Sequence, residues 1–169
     1  NPLLIQKHLY LMLNKPSGVL SAARDPKQPT VLDLVPETYR RSGLFPAGRL
    51  DKDTEGFVLI TDDGEFAHSI LSPKHHVPKT YHARIDGPLT EQMVEEFAVG
   101  VVLEDGVTCN PAQLSVLENG EQPLCQVILT QGMYHQVKRM FLAFGRRVLW
   151  LKRTAIGGLL LDNALQPGE

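Results

Sequence analysis

The sequence has no long apolar run, no repeat and no leader-like start. No stretch approaches the roughly 20 consecutive apolar residues with which a helix crosses a bilayer. The first residues lack the charged start and apolar core of a secretory signal. Internal repeats and low-complexity tracts are also missing, which disfavours a solenoid or fibrous chain. We therefore expect a globular protein of the cytoplasm with no part in a membrane.

Cysteine and net charge are scarce as well. Cys109 and Cys125 form neither a Cys-x-x-Cys pair nor a disulfide framework, so we interpret them as free thiols that pack in the interior. A formal net charge of -2 argues against a protein that coats nucleic acid nonspecifically. With 169 residues, 43% of them hydrophobic, the chain can bury the core of one domain or of two small lobes.

Positive charge is concentrated near the end of the chain. No acidic residue occurs from Thr130 to Leu161, and this pattern has two interpretations. One is a solvated surface whose acids lie elsewhere, and the other is a path for a nucleic-acid backbone, because clustered cations are the footprint of phosphate binding. The stretch contains six basic residues, of which we expect the last four to line such a path: Lys138, Arg139, Arg146, Arg147, Lys152 and Arg153.

The first half of the chain shows the signals of short elements. Apolar strand formers end at a turn-forming segment, and a later apolar run is short enough for a buried strand. The predicted elements are a strand at His8–Leu13, a short helix at Thr30–Val35, irregular chain at Ser42–Asp51, a buried strand at Phe57–Thr61 and a helix at Glu65–Leu71.

The second half is richer in strand signals. Alternation over Lys79–Ile85 puts Tyr81 on the apolar side and predicts a half-buried strand. The other predictions are a helix from the N-cap Thr90 to Gly100, hairpin turns at Asp105-Gly106 and Asn119-Gly120, and a late helix with Val137, Met140, Phe141 and Phe144 inward.

This order of elements predicts the fold class. Strands and helices follow one another without regular βαβ alternation, which is typical of an α+β fold with a mainly antiparallel mixed sheet and flanking helices. We expect residues 1–7 to be the remnant of a linker and residues 8–169 to form one domain, with lobes at 8–82 and 83–169.

A loop dense in carboxylates, Gly48–Gly56, carries the candidate chemistry. Asp51, Asp53 and Glu55 match the first places of a calcium-binding EF-hand loop, but Pro46 and the nearby glycines disfavour the helix that must precede one. Paired carboxylates also serve glycoside hydrolysis, although neighbours at i and i+2 have no evident division into acid and base. On composition alone, a polar turn capped by acids explains the loop best.

Five motifs in order give this loop a context. Gly48-Arg49-Leu50-Asp51-x-Asp53-Thr54-x-Gly56 resembles the signature loop of the RsuA and RluA group of pseudouridine synthases. The group's other motifs resemble Lys15-Pro16-x-Gly18, Lys79-Thr80-Tyr81, the stretch from Gly132 to Met140 and the stretch from Leu151 to Gly158. Together they cover nearly the whole chain. The resemblance implies the group's catalytic fold, with a central active-site cleft.

Two segments resemble the RsuA type in particular, whose members act on small-subunit (16S) ribosomal RNA. These are Ser72–His76 and His135–Phe141. In the second segment, large-subunit (23S) enzymes typically have a second arginine in place of Lys138. Such proteins usually begin with a small S4-like RNA-binding module, and nothing before His8 resembles one. We therefore expect a truncated chain or disordered flanks.

The resemblance assigns the chemistry to Asp51. The reaction detaches uracil from the ribose, rotates it, reattaches it through C5 and removes the C5 proton, so it needs no cofactor and no metal. A carboxylate can act here as nucleophile or as base, and the resemblance does not choose between the two. The sequence also contains no HExxH motif or Cys/His cluster that would bind a metal.

Further roles follow from the same resemblance. Tyr81 would stack on the target base and is a candidate for taking the C5 proton, whereas alternation alone predicts a core tyrosine. Lys138 would pair with the catalytic aspartate, with Arg139 as the alternative, and Arg49 would hold the flipped nucleotide or fill its space. Lys79 is expected on the polar side of its strand or at the RNA backbone, and Arg153 at a phosphate. The remaining substrate-binding candidates are Leu50, His135 and Gln136.

The expected partner is ribosomal RNA or a small-subunit assembly intermediate, bound by a monomer. Two further hypotheses remain beside a small-subunit enzyme. One is a large-subunit enzyme, and the other is a noncatalytic RNA-binding or ribosome-assembly module of the same fold. Asp51 and Tyr81, present together, favour an enzyme.

Overall fold

The computed structural model describes residues 8–133 and 135–169 and divides them into two compact units. The first unit contains residues 8–75 together with 161–169, and the second runs from His76 to Leu160. The predicted linker at residues 1–7 and Tyr134 of the fourth motif lie outside the described residues. The predicted lobes differ from these units, because Lys79–Ile85 pairs on both sides with strands of the second unit.

Three antiparallel strands form the sheet of the first unit. They are β1 (Tyr10–Lys15), β2 (Phe45–Ala47) and β3 (Glu55–Thr61), with β3 between the other two. Continuous apolar sequence buries β3 over its last six residues, as expected for a central strand. The short β2 contains Pro46, which an edge strand tolerates because proline has no N–H to donate.

Short helices cover this sheet. The 3₁₀ turn at Val31–Leu34 begins after Thr30, whose N–H donates to the Asp33 carboxylate at 2.8 Å. Helix α1 (Gly64–Leu71) begins at Asp63, whose carboxylate accepts from the N–H of Phe66 at 3.0 Å. Further 3₁₀ turns follow at Glu37–Tyr39 and Pro73–His75.

The second unit has a sheet in the order β7-β4-β6-β5, with β8 paired to β7. Every pairing in it is antiparallel. The bounds are β4 Lys79–Ile85, β5 Gln113–Glu118, β6 Leu124–Leu129, β7 Val148–Ile156 and β8 Leu159–Leu160, with helices α2 at Glu91–Val99 and α3 at Gln136–Leu142. The rings of Phe97 and Phe141, both fully buried, join the two helices with centroids 5.3 Å apart.

The final residues return to the edge of β1. The N–H of Asn14 donates to the carbonyl of Glu169 at 2.8 Å, and the N–H of Gly168 donates to the carbonyl of Asn14 at 2.7 Å. The side-chain amide of Asn14 donates to the carbonyl of Leu165 at 3.1 Å. These bonds attach the last turn of the chain to the strand that ends in the first motif.

Most predicted elements are confirmed, including the α+β class, the bounds of Lys79–Ile85 and both hairpin turns. The prediction of irregular chain at Ser42–Asp51 is wrong in part, because β2 lies within it. The first strand begins two residues later than predicted and continues through Lys15. It extends because Asn14 and Lys15 pair with Phe57 and Gly56 of β3.

Gly100 ends α2 in a conformation that side chains rarely adopt, with φ of +127°, and a Cβ there would lie 2.5 Å from the carbonyl oxygen of Cys109. We expect Gly100→Ala to lower the free energy of unfolding by at least about 1–3 kcal/mol. Gly64→Ala is the matched control, since nothing lies within 4 Å of its Cβ position and its φ is not positive. It should be neutral or stabilising by up to about 1 kcal/mol. Urea unfolding measures both, and equal midpoints would contradict this account.

Candidate active site

Asp51 occupies the first position of a tight turn. The N–H of Thr54 donates to the carbonyl of Asp51 at 3.0 Å, so Lys52 and Asp53 form the tip. Both tip residues are exposed, whereas Asp51 is half-buried and Thr54 is buried. The loop therefore shields the Asp51 carboxylate partly from water and directs its two neighbours outward.

A buried lysine fastens this turn from below. Lys15 has no solvent exposure, and its ammonium donates to three backbone carbonyls. The acceptors are Pro16 at 2.9 Å, Lys52 at 2.8 Å and Thr54 at 2.7 Å. Since lysine has three N–H donors, this set satisfies the buried cation completely. The carbonyl of Lys52 also accepts from the N–H of Gly18 at 2.8 Å, so the first motif holds the turn at two points.

Burial also changes the acidity of Lys15. Desolvation lowers its pKa from 10.5 to about 8, and the negative charges of Asp53, Glu55 and Asp51 oppose this lowering. Lys15 therefore loses a proton in an ordinary working range of pH.

Ser21 positions the two residues that precede Asp51. Its hydroxyl accepts from the buried N–H of Leu50 at 3.0 Å, and its carbonyl accepts from Nε of Arg49 at 3.0 Å. Leu50 is buried, whereas Arg49 is exposed. Leu50 thus anchors the loop in the core, and Arg49 remains available at its surface.

Three other predicted residues gather on β4 and β7 of the second unit. Tyr81 lies opposite Arg153 in the strand register, and the Arg153 charge lowers the pKa of Lys79 in addition to the effect of burial. Lys79 is 7% exposed and shares the buried face with Tyr81, so the prediction of a polar-side position for Lys79 is wrong. Lys79 and Tyr81 are two positions apart, and that spacing returns a strand to the same face.

Tyr81 and Arg153 are both buried, and each has a feature that is unusual for its residue type. Within the described residues the Tyr81 hydroxyl has no hydrogen-bond partner, although the residue is only 9% exposed. A phenol in that position is able to bond a ligand, because buried hydroxyls are normally satisfied. Arg153 is 1% exposed, which does not fit a phosphate contact on an open surface.

The late motif forms the start of α3. His135 precedes the helix in a left-handed conformation with φ of 49°. The Gln136 amide donates to the Gln131 side chain at 3.0 Å and accepts from the N–H of Met133 at 3.2 Å. Gln136 therefore orders the loop before α3 and, at 4% exposure, has little surface for a substrate. Lys138 is half-buried on the same helix.

Acids from other segments reach the basic stretch. Arg139 donates to Glu104 at 3.0 Å and to Asp105 at 2.8 Å, which ties α3 to the hairpin turn rather than leaving a bare cation. Arg146 donates to the carbonyl of Pro88 at 2.8 Å. The basic run in the sequence is therefore not an uninterrupted basic surface, although Arg147 is exposed.

Neither a metal group nor a membrane helix is found where the chain is described. In residues 8–133 and 135–169, no cluster of three or more His, Cys, Asp or Glu side chains is arranged to bind a metal ion. The helices of that part are too short or too polar to cross a bilayer.

Comparison with known proteins matches this arrangement to a family. The family model described as RNA pseudouridylate synthase matches residues 9–143, which include the Asp51 turn, the first motif and all of α3. The chain belongs to that family. The match confirms the resemblance found in the motifs, and with it the expectation of an enzyme of this class.

Similar proteins extend the comparison over nearly the whole chain. It is 46% identical to the Uncharacterized RNA pseudouridine synthase YtzG of Bacillus subtilis, over 99% of this chain and 71% of that protein. It is also 46% identical to Ribosomal small subunit pseudouridine synthase A of Escherichia coli K12, over 100% of this chain and 72% of that protein. The chain also matches a crystal structure of a pseudouridylate synthase, with 39% sequence identity and a TM-score of 0.89. That match covers 98% of this chain and 70% of the chain in the crystal structure.

Within the RNA pseudouridylate synthase fold, Lys15 and Ser21 are the supporting residues that sequence analysis missed. Lys15 was visible only as part of a motif, and its burial gave no signal because lysine is rarely buried. Ser21 lies 29 residues before Leu50, and no local pattern connects the two.

Deprotonation of Lys15 removes one of the three N–H donors that hold the turn. We therefore expect kcat to fall as pH rises through about 8. Stability should change in the opposite sense. An unfolded lysine keeps its proton up to about pH 10.5, so between these values the unfolded chain binds more protons and rising pH favours folding.

Pseudouridine formation and thermal unfolding, followed from pH 7 to 10, test this expectation. Lys15→Gln cannot ionise, so it should have a lower kcat at pH 7 and no fall near pH 8. Lys27→Gln, at an exposed lysine of the same unit, should keep the wild-type profile. Identical profiles for wild type and Lys15→Gln would contradict the role of Lys15.

Proposed function

We propose that this protein converts a uridine of small-subunit ribosomal RNA to pseudouridine, with Asp51 as the group on which the chemistry depends. The observation that carries the proposal is the half-buried carboxylate of Asp51 on a turn fastened by Lys15, inside the matched family region. The choice of RNA is supported by the 46% identity to enzymes named for the small ribosomal subunit. The protein would act as a cytoplasmic monomer on RNA or on an assembly intermediate.

The reaction is an isomerisation. The N1–C1′ bond of uridine breaks, a C5–C1′ bond forms, the C5 proton leaves and N1 gains a proton, so no redox partner or external group is consumed. Asp51 would act on the ribose or the base as nucleophile or as general base. Both roles need an ionised carboxylate in a fixed position, and the pinned turn supports that requirement.

Tyr81 would serve the base. Its ring can stack on uracil, and its hydroxyl, which has no hydrogen-bond partner in the described part of the chain, is suited to accept or relay the C5 proton. Arg49, exposed beside Asp51, would hold the flipped nucleotide or fill the space that it leaves in the RNA. The proposal includes Lys138 as a substrate-side cation on α3.

Tritium release from RNA labelled at uridine C5 tests the activity, because the C5 hydrogen is lost when the new bond forms. We expect release from small-subunit RNA and much less from large-subunit RNA. Release from large-subunit RNA alone would replace the proposed substrate. Binding without release from either RNA would support a noncatalytic module instead.

We expect Asp51→Asn to abolish isomerisation while leaving the fold and much of the RNA affinity. The amide is nearly isosteric with the carboxylate but cannot act as nucleophile or base. Tritium release and RNA binding should be measured on one preparation, so that unfolding is not mistaken for lost chemistry. Turnover within tenfold of the wild-type rate would show that Asp51 is not the reactive group.

Tyr81→Phe separates chemistry from packing. The ring remains, so stability and stacking on uracil should change little. If the hydroxyl moves the C5 proton, the single-turnover rate should fall by about 10²–10⁴-fold, the usual value of a positioned acid or base. The loss should appear in kcat and not in RNA binding. A fall of less than about threefold, far smaller than that range, would mean that Tyr81 serves only in stacking or packing.

A further inference from the structure

The Asp51 turn presents an electrostatic problem to any RNA that approaches it. Three carboxylates, Asp51, Asp53 and Glu55, lie within five residues, and all three act electrostatically on Lys15. The RNA backbone carries one negative charge per nucleotide and is repelled by the same field. An exposed cation close to Asp51 would therefore favour the approach of the RNA.

Buried cations cannot supply that charge. Lys15 lies inside the protein with all three donors bonded to carbonyls. Among exposed residues of the loop, Arg49 has its Nε committed to Ser21, which leaves the rest of its guanidinium for the nucleotide. The other exposed cation of the loop is Lys52, directly after Asp51.

Lys52 combines a fixed backbone with an uncommitted side chain. Its carbonyl accepts from Nζ of Lys15 and from the N–H of Gly18, each at 2.8 Å, and the turn closes around it through Thr54 and Asp51. In the described part of the chain, no carboxylate or carbonyl binds the Lys52 ammonium. By contrast, the exposed Arg41 of the same unit pairs with Asp62, and Arg40 donates to the Val35 carbonyl.

We propose that Lys52 binds a backbone phosphodiester of the RNA beside the target uridine. The proposal rests on the proposed function and names a substrate contact that neither the motifs nor the comparisons assign. Lysine is a compact cation on a long flexible stem, which suits a phosphate contact without fixed geometry. Because the tip backbone is already ordered, binding costs only the freedom of that side chain.

Single-turnover reactions with excess enzyme test the contact, with an RNA fragment that contains the uridine modified by the wild type. The half-saturating enzyme concentration is measured from 50 to 200 mM salt for Lys52→Gln, Lys52→Arg and the control Lys27→Gln. For single-stranded RNA, one lost phosphate contact lowers the slope of log affinity against log salt concentration by about 0.7. Between 50 and 200 mM salt, the factor by which affinity falls should therefore be about threefold smaller for Lys52→Gln than for the wild type.

The variants also distinguish an effect on RNA affinity from an effect on the maximal rate. Lys52→Gln should bind more weakly at 50 mM salt with its maximal rate unchanged, because the contact is the same in ground and transition states. Lys52→Arg should restore both slope and affinity, since it keeps the charge. Lys27→Gln should match the wild type.

Three outcomes would overturn the proposal. They are an unchanged slope in Lys52→Gln, an equal loss in Lys52→Arg, which would implicate the shape of the turn, and an equal loss in Lys27→Gln, which would implicate general charge. Filter retention of small-subunit RNA fragments, chosen by binding and not by modification, measures the slope without turnover. A wild type that binds this RNA but releases no tritium would therefore contradict the proposed function and still leave the Lys52 comparison decisive.

Discussion

The position of the Asp51 carboxylate depends on the ammonium of Lys15. Burying a lysine is costly unless every N–H finds an acceptor, and here three carbonyls of residues 16, 52 and 54 provide them. Neighbouring features bring those carbonyls together. The pairing of Lys15 with Gly56 aligns β1 with β3, and the bonds of Asn14 to the end of the chain secure that strand from its other edge. Loss of this one charge would remove one of the three donors and loosen the turn, although the N–H of Gly18 would still hold the carbonyl of Lys52.

The cations of the protein divide by burial, and burial separates their roles. Lys15 and Lys79 lie in the interior, where desolvation lowers the pKa of each and where their charge acts on nearby groups. Arg139 is held by two carboxylates at the surface and joins α3 to a hairpin turn. Arg49 and Lys52 are both exposed, and we propose that they bind the polyanionic substrate. A net charge of -2 therefore coexists with RNA chemistry, because the position of each cation decides its role.

Local patterns in the sequence predicted much of the fold. Alternation identified Lys79–Ile85 to the residue, and the capping side chain of Thr90 marks where α2 begins. Local patterns could not predict the long-range contacts. The strand β2 forms against a partner that begins eight residues after it ends, in a segment where Pro46 and glycines predict a loop. Arg139 meets acids 34 and 35 residues away, which no charge run reveals. The motifs make Asp51 and Tyr81 candidates for the chemistry, which stays a prediction, but they do not reveal the Lys15 and Ser21 contacts that hold the loop.

The central claim is that this pinned carboxylate loop isomerises a uridine of small-subunit ribosomal RNA. Its most direct measurement is carbodiimide modification followed by primer extension along unmodified small-subunit RNA that has been incubated with the protein, since the reagent marks pseudouridine by a stop in the extension. The account predicts a stop at one uridine that is absent from the untreated RNA. Small-subunit RNA without any new stop, beside large-subunit RNA with one, would contradict it.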